Sequence, residues 1–196
     1  MVRGPAPEES PLAPETKEKT DAGQKTGRWP YELCFLRHGI AVTRGGGAFP
    51  DDSKRPLTPE GKKKMKEIAQ GLLRLGFEVD WVVSSPLVRA VETSEIIADS
   101  LGRNVSMDFC DALRPGGSAE EVIAFLARHS SRRRVLIVGH EPDLSALAAR
   151  LIGAGRNSNL AFKKGGCCLI AFGEFPPKTP GELIWWLTPR VLRKLA

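Results

Sequence analysis

Two hydrophobic rhythms alternate along the chain from residue 31 onward. Tyr31–Leu36 is a mostly apolar run of strand length that ends in the polar triplet Arg37-His38-Gly39. After the glycines Gly45, Gly46 and Gly47, the spacing changes to that of a helix. Thr58 is a good N-cap, Pro59 suits the first helical position, and Glu60 lies in the first turn. Met65, Ile68, Ala69, Leu72 and Leu73 then recur on one face until Gly76. Trp81-Val82-Val83 reads as a short strand. Ser85-Pro86 opens a second helix that runs to Leu101 and stops at Gly102. Val105–Phe109 is a third strand. Ser118 with Glu121 forms a capping box for a third helix carrying Val122, Phe125 and Leu126. Val135–Val138 is the clearest buried strand and leads into Gly139-His140-Glu141-Pro142; Leu144–Ile152 is helical. Cys167–Phe172 and Leu183–Leu187 are two strands joined by a Pro/Gly-rich turn.

This alternation predicts an α/β fold, a three-layer sandwich whose mainly parallel central sheet is flanked by helices. In such a sheet the ligand site lies beyond the carboxyl ends of the strands. Three motifs stand at predicted strand ends: Arg37-His38-Gly39, Ser84-Ser85-Pro86 with Arg89, and Gly139-His140-Glu141. Residues 1–29 have almost no large apolar side chain before Trp29 and are rich in Pro, Glu, Lys, Thr and Gly. Such a segment cannot bury enough surface to offset its ordering entropy, so it is expected to be a disordered tail before a domain at 30–196.

The 196 residues suffice for one core, and no apolar run approaches the roughly 20 residues of a membrane span. An N-terminal apolar signal region is also lacking, and the four cysteines form no CxxC spacing. Reduced thiols in a cytoplasmic protein are the expectation. The net charge of +6 raises the question of nucleic acid, but no zinc finger, RNP-like motif or Lys-rich recognition helix accompanies it. Lys62-Lys63-Lys64 and Arg132-Arg133-Arg134 read as solvated edges. Arginines beside the loop motifs suit a small anion such as phosphate better.

Two of the three histidines, His38 and His140, directly follow buried strands; His129 closes a predicted helix, where a cation suits the dipole, and is given no role. A metal would need a third ligand. Glu141 and Asp143 are at hand, yet Arg37 and Arg89 would repel a dication, and no metal or other cofactor is expected. Phosphate fits: arginine offers planar paired donors to its oxygens, and a helix opening at Ser85-Pro86 would add N–H groups.

The segments Leu36-Arg37-His38-Gly39, Arg55-Pro56-Leu57-Thr58 with Gly61, Ser84-Ser85-Pro86 with Arg89-Ala90 and Thr93, and Val138-Gly139-His140-Glu141-Pro142 resemble, in order and spacing, the histidine phosphatase superfamily. The similarity is greatest to its SixA-type phosphohistidine phosphatases, which the ending Trp186-Leu187-Thr188-Pro189 also resembles, and it covers about residues 31–190. The resemblance implies His38 as a nucleophile that forms a phosphohistidine intermediate, with Arg37, Arg89 and His140 around the phosphoryl oxygens. Arg55 matches a further family arginine near the pocket; by itself it also reads as a surface arginine before a helix cap. Ser85 and Thr93 are expected to serve as helix cap and helix packing. Lys163-Lys164-Gly165-Gly166 reads either as part of the pocket rim or as a polar turn before a strand. Relatives that act on phosphate esters carry a glutamate acid after the third strand. Here Cys110–Gly117 has none, and Asp111 is the nearby carboxylate. The implied function is removal of phosphate from phosphohistidine on a signalling or phosphotransfer protein. Its competitors are a phosphatase of small phosphomonoesters or nucleotides, and a phosphate-binding module without turnover. A binding module has no need of the pair His38 and His140.

Overall fold

The computed structural model describes residue 1 and residues 29–45, 49–102, 105–129, 131–155 and 158–196. Of the expected tail, residues 2–28 lie outside the described residues, as do Gly46 and Gly47 of the glycine loop.

Among the described residues, six strands form one sheet in the order β3-β2-β4-β1-β5-β6. These are β1 (Tyr31–Arg37), β2 (Trp81–Ser84), β3 (Ser106–Phe109), β4 (Arg134–Gly139), β5 (Cys167–Phe172) and β6 (Glu182–Leu187). Strands β3, β2, β4 and β1 are mutually parallel; β5 runs antiparallel to β1, and β6 antiparallel to β5. The apolar runs of β2, β4 and β5 are buried along nearly their whole length because helices cover both faces. Edge strand β3 is half-exposed, and Phe109 faces solvent.

The period-two alternation of side chains sorts the core into two layers. Leu33, Phe35, Val135 and Ile137 point to the face covered by α3 (Ala119–Ala127) and α4 (Asp143–Leu151). Cys34, Leu36, Leu136 and Val138 point to the face covered by α1 (Pro59–Arg74), α2 (Val88–Leu101) and the short α5 (Pro189–Leu195). The three-layer sandwich read from the sequence is the fold.

Local chemistry explains the boundaries. Thr58 Oγ1 accepts from the Gly61 amide at 2.9 Å and Pro59 occupies the first turn, so α1 starts where expected. Met65, Ile68, Ala69 and Leu72 are buried, whereas Leu73 turns outward. Ser118 caps α3 by accepting from the Glu121 amide. Helix α2 corrects the reading: it starts at Val88, three residues after Ser85. The Ser85 amide donates to the Val138 carbonyl at 2.9 Å, which holds Ser85 against β4 as a continuation of the ladder rather than releasing it into a helix. Helix α5 was not foreseen. It packs on α1 so closely that a Cβ at Gly71 would collide with the Leu192 carbonyl.

Candidate active site

Strand register builds the site. Strands β1 and β4 are neighbours with Arg37 opposite Gly139, so the next residues of both strands, His38 and His140, emerge side by side. The His38 amide donates to the Gly139 carbonyl at 3.2 Å, and the two imidazole centroids are 5.0 Å apart. Both histidines are buried. Strand β2 pairs with the other edge of β4, Ser84 opposite Val138, and delivers Ser85 to the same end. Arg89 follows in the first turn of α2, with its side chain 3% exposed.

Each group is held by specific partners. His38 Nδ1 lies 2.7 Å from the Gly39 carbonyl. A carbonyl can only accept, so Nδ1 carries the proton and Nε2 keeps the lone pair. Thr93 ties this loop to α2: its hydroxyl accepts from the Gly39 amide at 3.0 Å and donates to the Arg89 carbonyl at 2.7 Å. His140 Nε2 lies 2.8 Å from Ser85 Oγ. Ser85 Oγ also accepts from the Leu87 amide, so its own proton is free to go to His140 Nε2, and His140 then carries its proton on Nδ1.

Arg37 donates through Nη1 to the Phe162 carbonyl at 2.6 Å, while its main chain pairs with Gly165 and Gly166. The Lys163-Lys164 turn therefore flanks the end of β1, with both lysines exposed. Glu141 secures that loop from the other side: one carboxylate oxygen accepts from the Phe162 amide at 2.8 Å and the other from the Ser145 hydroxyl at 2.6 Å. Arg89 donates from Nη1 to the main-chain oxygen of Asp52 at 2.8 Å and from Nη2 to its carboxylate at 3.1 Å. The same carboxylate accepts from Nε of Arg44 and Nε of Arg55, both at 2.8 Å. Arg55 is thereby drawn to the rim of the site, and its Nη1 reaches the Val42 carbonyl.

The electrostatics follow from burial among cations. His38 is pushed down to about 3, first by burial, then by His140 and the arginines. His140 is also pushed down to about 3, again first by burial and then by Arg89. Both imidazoles are neutral at pH 7. Asp52 is held far below the ordinary carboxylate range, chiefly by its hydrogen bond from Arg44.

Among the described residues, four buried side-chain nitrogen or oxygen atoms have no hydrogen-bond partner, and three of them belong to this site: Arg37 Nε, Arg89 Nε and His140 Nδ1. A buried donor left unmatched costs roughly 1–3 kcal/mol. Three of them on residues that act electrostatically on one another beside His38 are donors suited to an anion with several acceptor oxygens. Among the described residues no group of three or more His, Cys, Asp or Glu is placed to hold a metal ion. Asp143 accepts from the Gly116 amide, and Asp111 is exposed and paired with Arg114. His129 packs its ring on Trp81.

The structure thus brings together His38, Arg37, Arg89 and His140, with Arg55 at the rim. Sequence reasoning missed Asp52 and the anchoring roles of Ser85 and Glu141. Asp52 carried one signal, its position three residues before Arg55. Ser85 and Glu141 meet their partners only through strand pairing.

Comparison with known proteins agrees with this geometry. The family profile of the histidine phosphatase superfamily, branch 1, matches residues 33–114. An uncharacterized protein of Picosynechococcus sp. is 34% identical, the alignment covering 82% of this chain and 98% of that protein. The phosphohistidine phosphatase SixA of Escherichia coli is 30% identical, over 61% of this chain and 73% of its own length. The structure of the protein histidine phosphatase SixA complexed with tungstate superposes with a TM-score of 0.70 at 26% identity, covering 82% of this chain and 99% of that one. The chain belongs to the histidine phosphatase superfamily, in its SixA-type branch.

Proposed function

We propose that this protein is a phosphatase that removes the phosphoryl group from phosphohistidine on a protein, using His38 as the nucleophile. The observation that carries the reading is the set of buried unmatched donors, Arg37 Nε, Arg89 Nε and His140 Nδ1, gathered around His38. His38 Nε2 attacks phosphorus in line with the departing nitrogen; the new P–N bond forms as the substrate's P–N bond breaks. Arg37, Arg89 and His140 stabilise the charge on the transferring oxygens. Water then attacks the phosphorus, His38 leaves as neutral imidazole, and phosphate is released.

The carboxylates near the site support a P–N substrate. An alkoxide leaving group needs a proton from a positioned acid, an effect of roughly 10²–10⁴-fold. Asp111 faces solvent, Asp52 is ionised among three arginines, and both oxygens of Glu141 accept hydrogen bonds. Each is engaged as an acceptor: Asp111 by Arg114, Asp52 by its arginines, and Glu141 by Phe162 and Ser145. A phosphorylated imidazole can take its proton from solution near neutral pH, given an unperturbed pKa of about 6.5. The name of the E. coli relative points the same way. Four free, buried thiols suit a reducing, cytoplasmic compartment.

The test is rapid quench with labelled substrate. The wild-type protein is expected to trap acid-labile, base-stable phosphate, and His38→Ala to trap none and lose turnover while remaining folded. In a substrate panel, kcat/KM should fall from a phosphohistidine-bearing domain, through an aryl phosphate, to a sugar phosphate. Efficient sugar-phosphate hydrolysis that collapses in Asp111→Asn would overturn the proposed substrate class, and turnover by His38→Ala would overturn the nucleophile.

A further inference from the structure

We propose that Asp52 decides what this pocket accepts: by holding Arg89 end-on and occupying Arg44 and Arg55, its carboxylate restricts the site to one phosphoryl group on a carrier without a second negative charge. The inference rests on the phosphatase reading above and goes beyond it by naming the feature that sets substrate charge.

The geometry of the guanidinium carries the argument. A guanidinium has an end edge, Nη1 with Nη2, and a side edge, Nε with Nη2. Asp52 takes the end edge of Arg89 with two different oxygens, its main-chain carbonyl on Nη1 at 2.8 Å and its carboxylate on Nη2 at 3.1 Å. The side edge remains, and its Nε is buried with no protein partner. Asp52 thus fixes which edge of Arg89 meets the phosphoryl oxygens. With the end edge also free, Arg89 could swing to engage an anion from either side.

The second part concerns charge. Arg44, Arg55 and Arg89 converge on this single carboxylate, with side chains 75%, 12% and 3% exposed. They form a series from solvent to the interior. Without Asp52 that series would be a cationic channel suited to a second phosphate or carboxylate beyond the first. With Asp52 in place, the Nε donors of Arg44 and Arg55 are both taken, and an incoming second anion meets a fixed negative charge that it must displace. The low proton affinity of Asp52 keeps that charge in place at any working pH. A phosphorylated imidazole on a protein brings one phosphoryl group and a neutral or cationic carrier, so this charge does not penalise it.

The experiment measures binding by the full-length chain, independently of turnover. Orthophosphate and pyrophosphate are titrated calorimetrically into the wild-type protein, Asp52→Asn and Asp52→Glu. Asp52→Asn keeps the shape and much of the hydrogen bonding but removes the charge. It is expected to shift the ratio of the two dissociation constants toward pyrophosphate by about 10-fold or more, the scale of one removed unit charge near a partly exposed site. Asp52→Glu should keep the wild-type ratio. A merely structural role would weaken both ligands together and leave the ratio unchanged; that result, with normal orthophosphate binding by the wild-type protein, would overturn this proposal alone. Failure of the wild-type protein to bind orthophosphate would overturn both this proposal and the phosphate-pocket reading beneath it.

Discussion

His38 and His140 share a buried space in which a proton on either is opposed by the desolvation of both and by the arginines around them. Their folded-state values of about 3 lie well below the roughly 6.5 of an unfolded chain. As pH falls, the unfolded chain therefore takes up these protons first. The stability tied to them is whole above about pH 6.5 and is lost progressively between there and about 3. Nitrogen-15 NMR of the free protein should show the His38 and His140 imidazoles keeping neutral shifts from pH 8 down to 5; both titrating near 6.5 would contradict the burial argument. Ser85→Ala should lower kcat with little change in KM, because the lost hydrogen bond orients the ring we propose to meet the transition state. A matching rise in KM would instead place Ser85 in ground-state binding. At this scale the sequence already exposed His38, His140, Arg37 and Arg89, since each follows a legible strand or opens a legible helix. Asp52 stayed hidden because two of its three arginines, Arg44 and Arg89, are brought to it only by tertiary structure, and Arg55 three residues on is a weak signal alone.

Helices α1 and α5 meet through a gap that only glycine can occupy. Gly71→Ala would thrust a methyl group at the Leu192 carbonyl and should cost about 1–3 kcal/mol, as overpacking does. Urea denaturation should record the loss, and an unchanged midpoint would mean that α5 does not dock as described. Thr58→Ala removes the N-cap hydrogen bond of α1 and should cost about 1 kcal/mol in the same assay. Most elements were readable because their local signals agreed with their tertiary setting: Thr58-Pro59 and Ser118 at helix starts, and apolar runs in β1, β2, β4 and β5. The start of α2 was misread because Ser85-Pro86 looks locally like a cap, while the Ser85 amide and hydroxyl are claimed by β4 and His140. Helix α5 carried the same Thr-Pro signal at Thr188-Pro189, but its seven residues include too few apolar positions for a helical period to emerge.

The molecule as a whole is a sheet whose middle is assembled from distant parts of the chain. Trp29, two residues before β1, is already tied to it, donating from its indole to Glu182 at the far edge. A chain shortened to begin at Trp29 should therefore keep its melting temperature; a drop of several degrees would show that the removed residues pack on the domain. The pairing of β1 with β4 has a kinetic consequence. Arg37 and Gly139 are separated in sequence by α1, β2, α2, β3 and α3, so their pairing closes a large loop. Contacts so remote in sequence form slowly and close large loops. The anion pocket, which spans that seam, should be absent from the folding transition state and present only in the finished protein. Orthophosphate should then leave the refolding rate in stopped-flow urea jumps untouched and slow unfolding in proportion to site occupancy. In kinetic terms the ligand is a latch fitted after the door has closed, and its measurable effect is on how long the native state lasts.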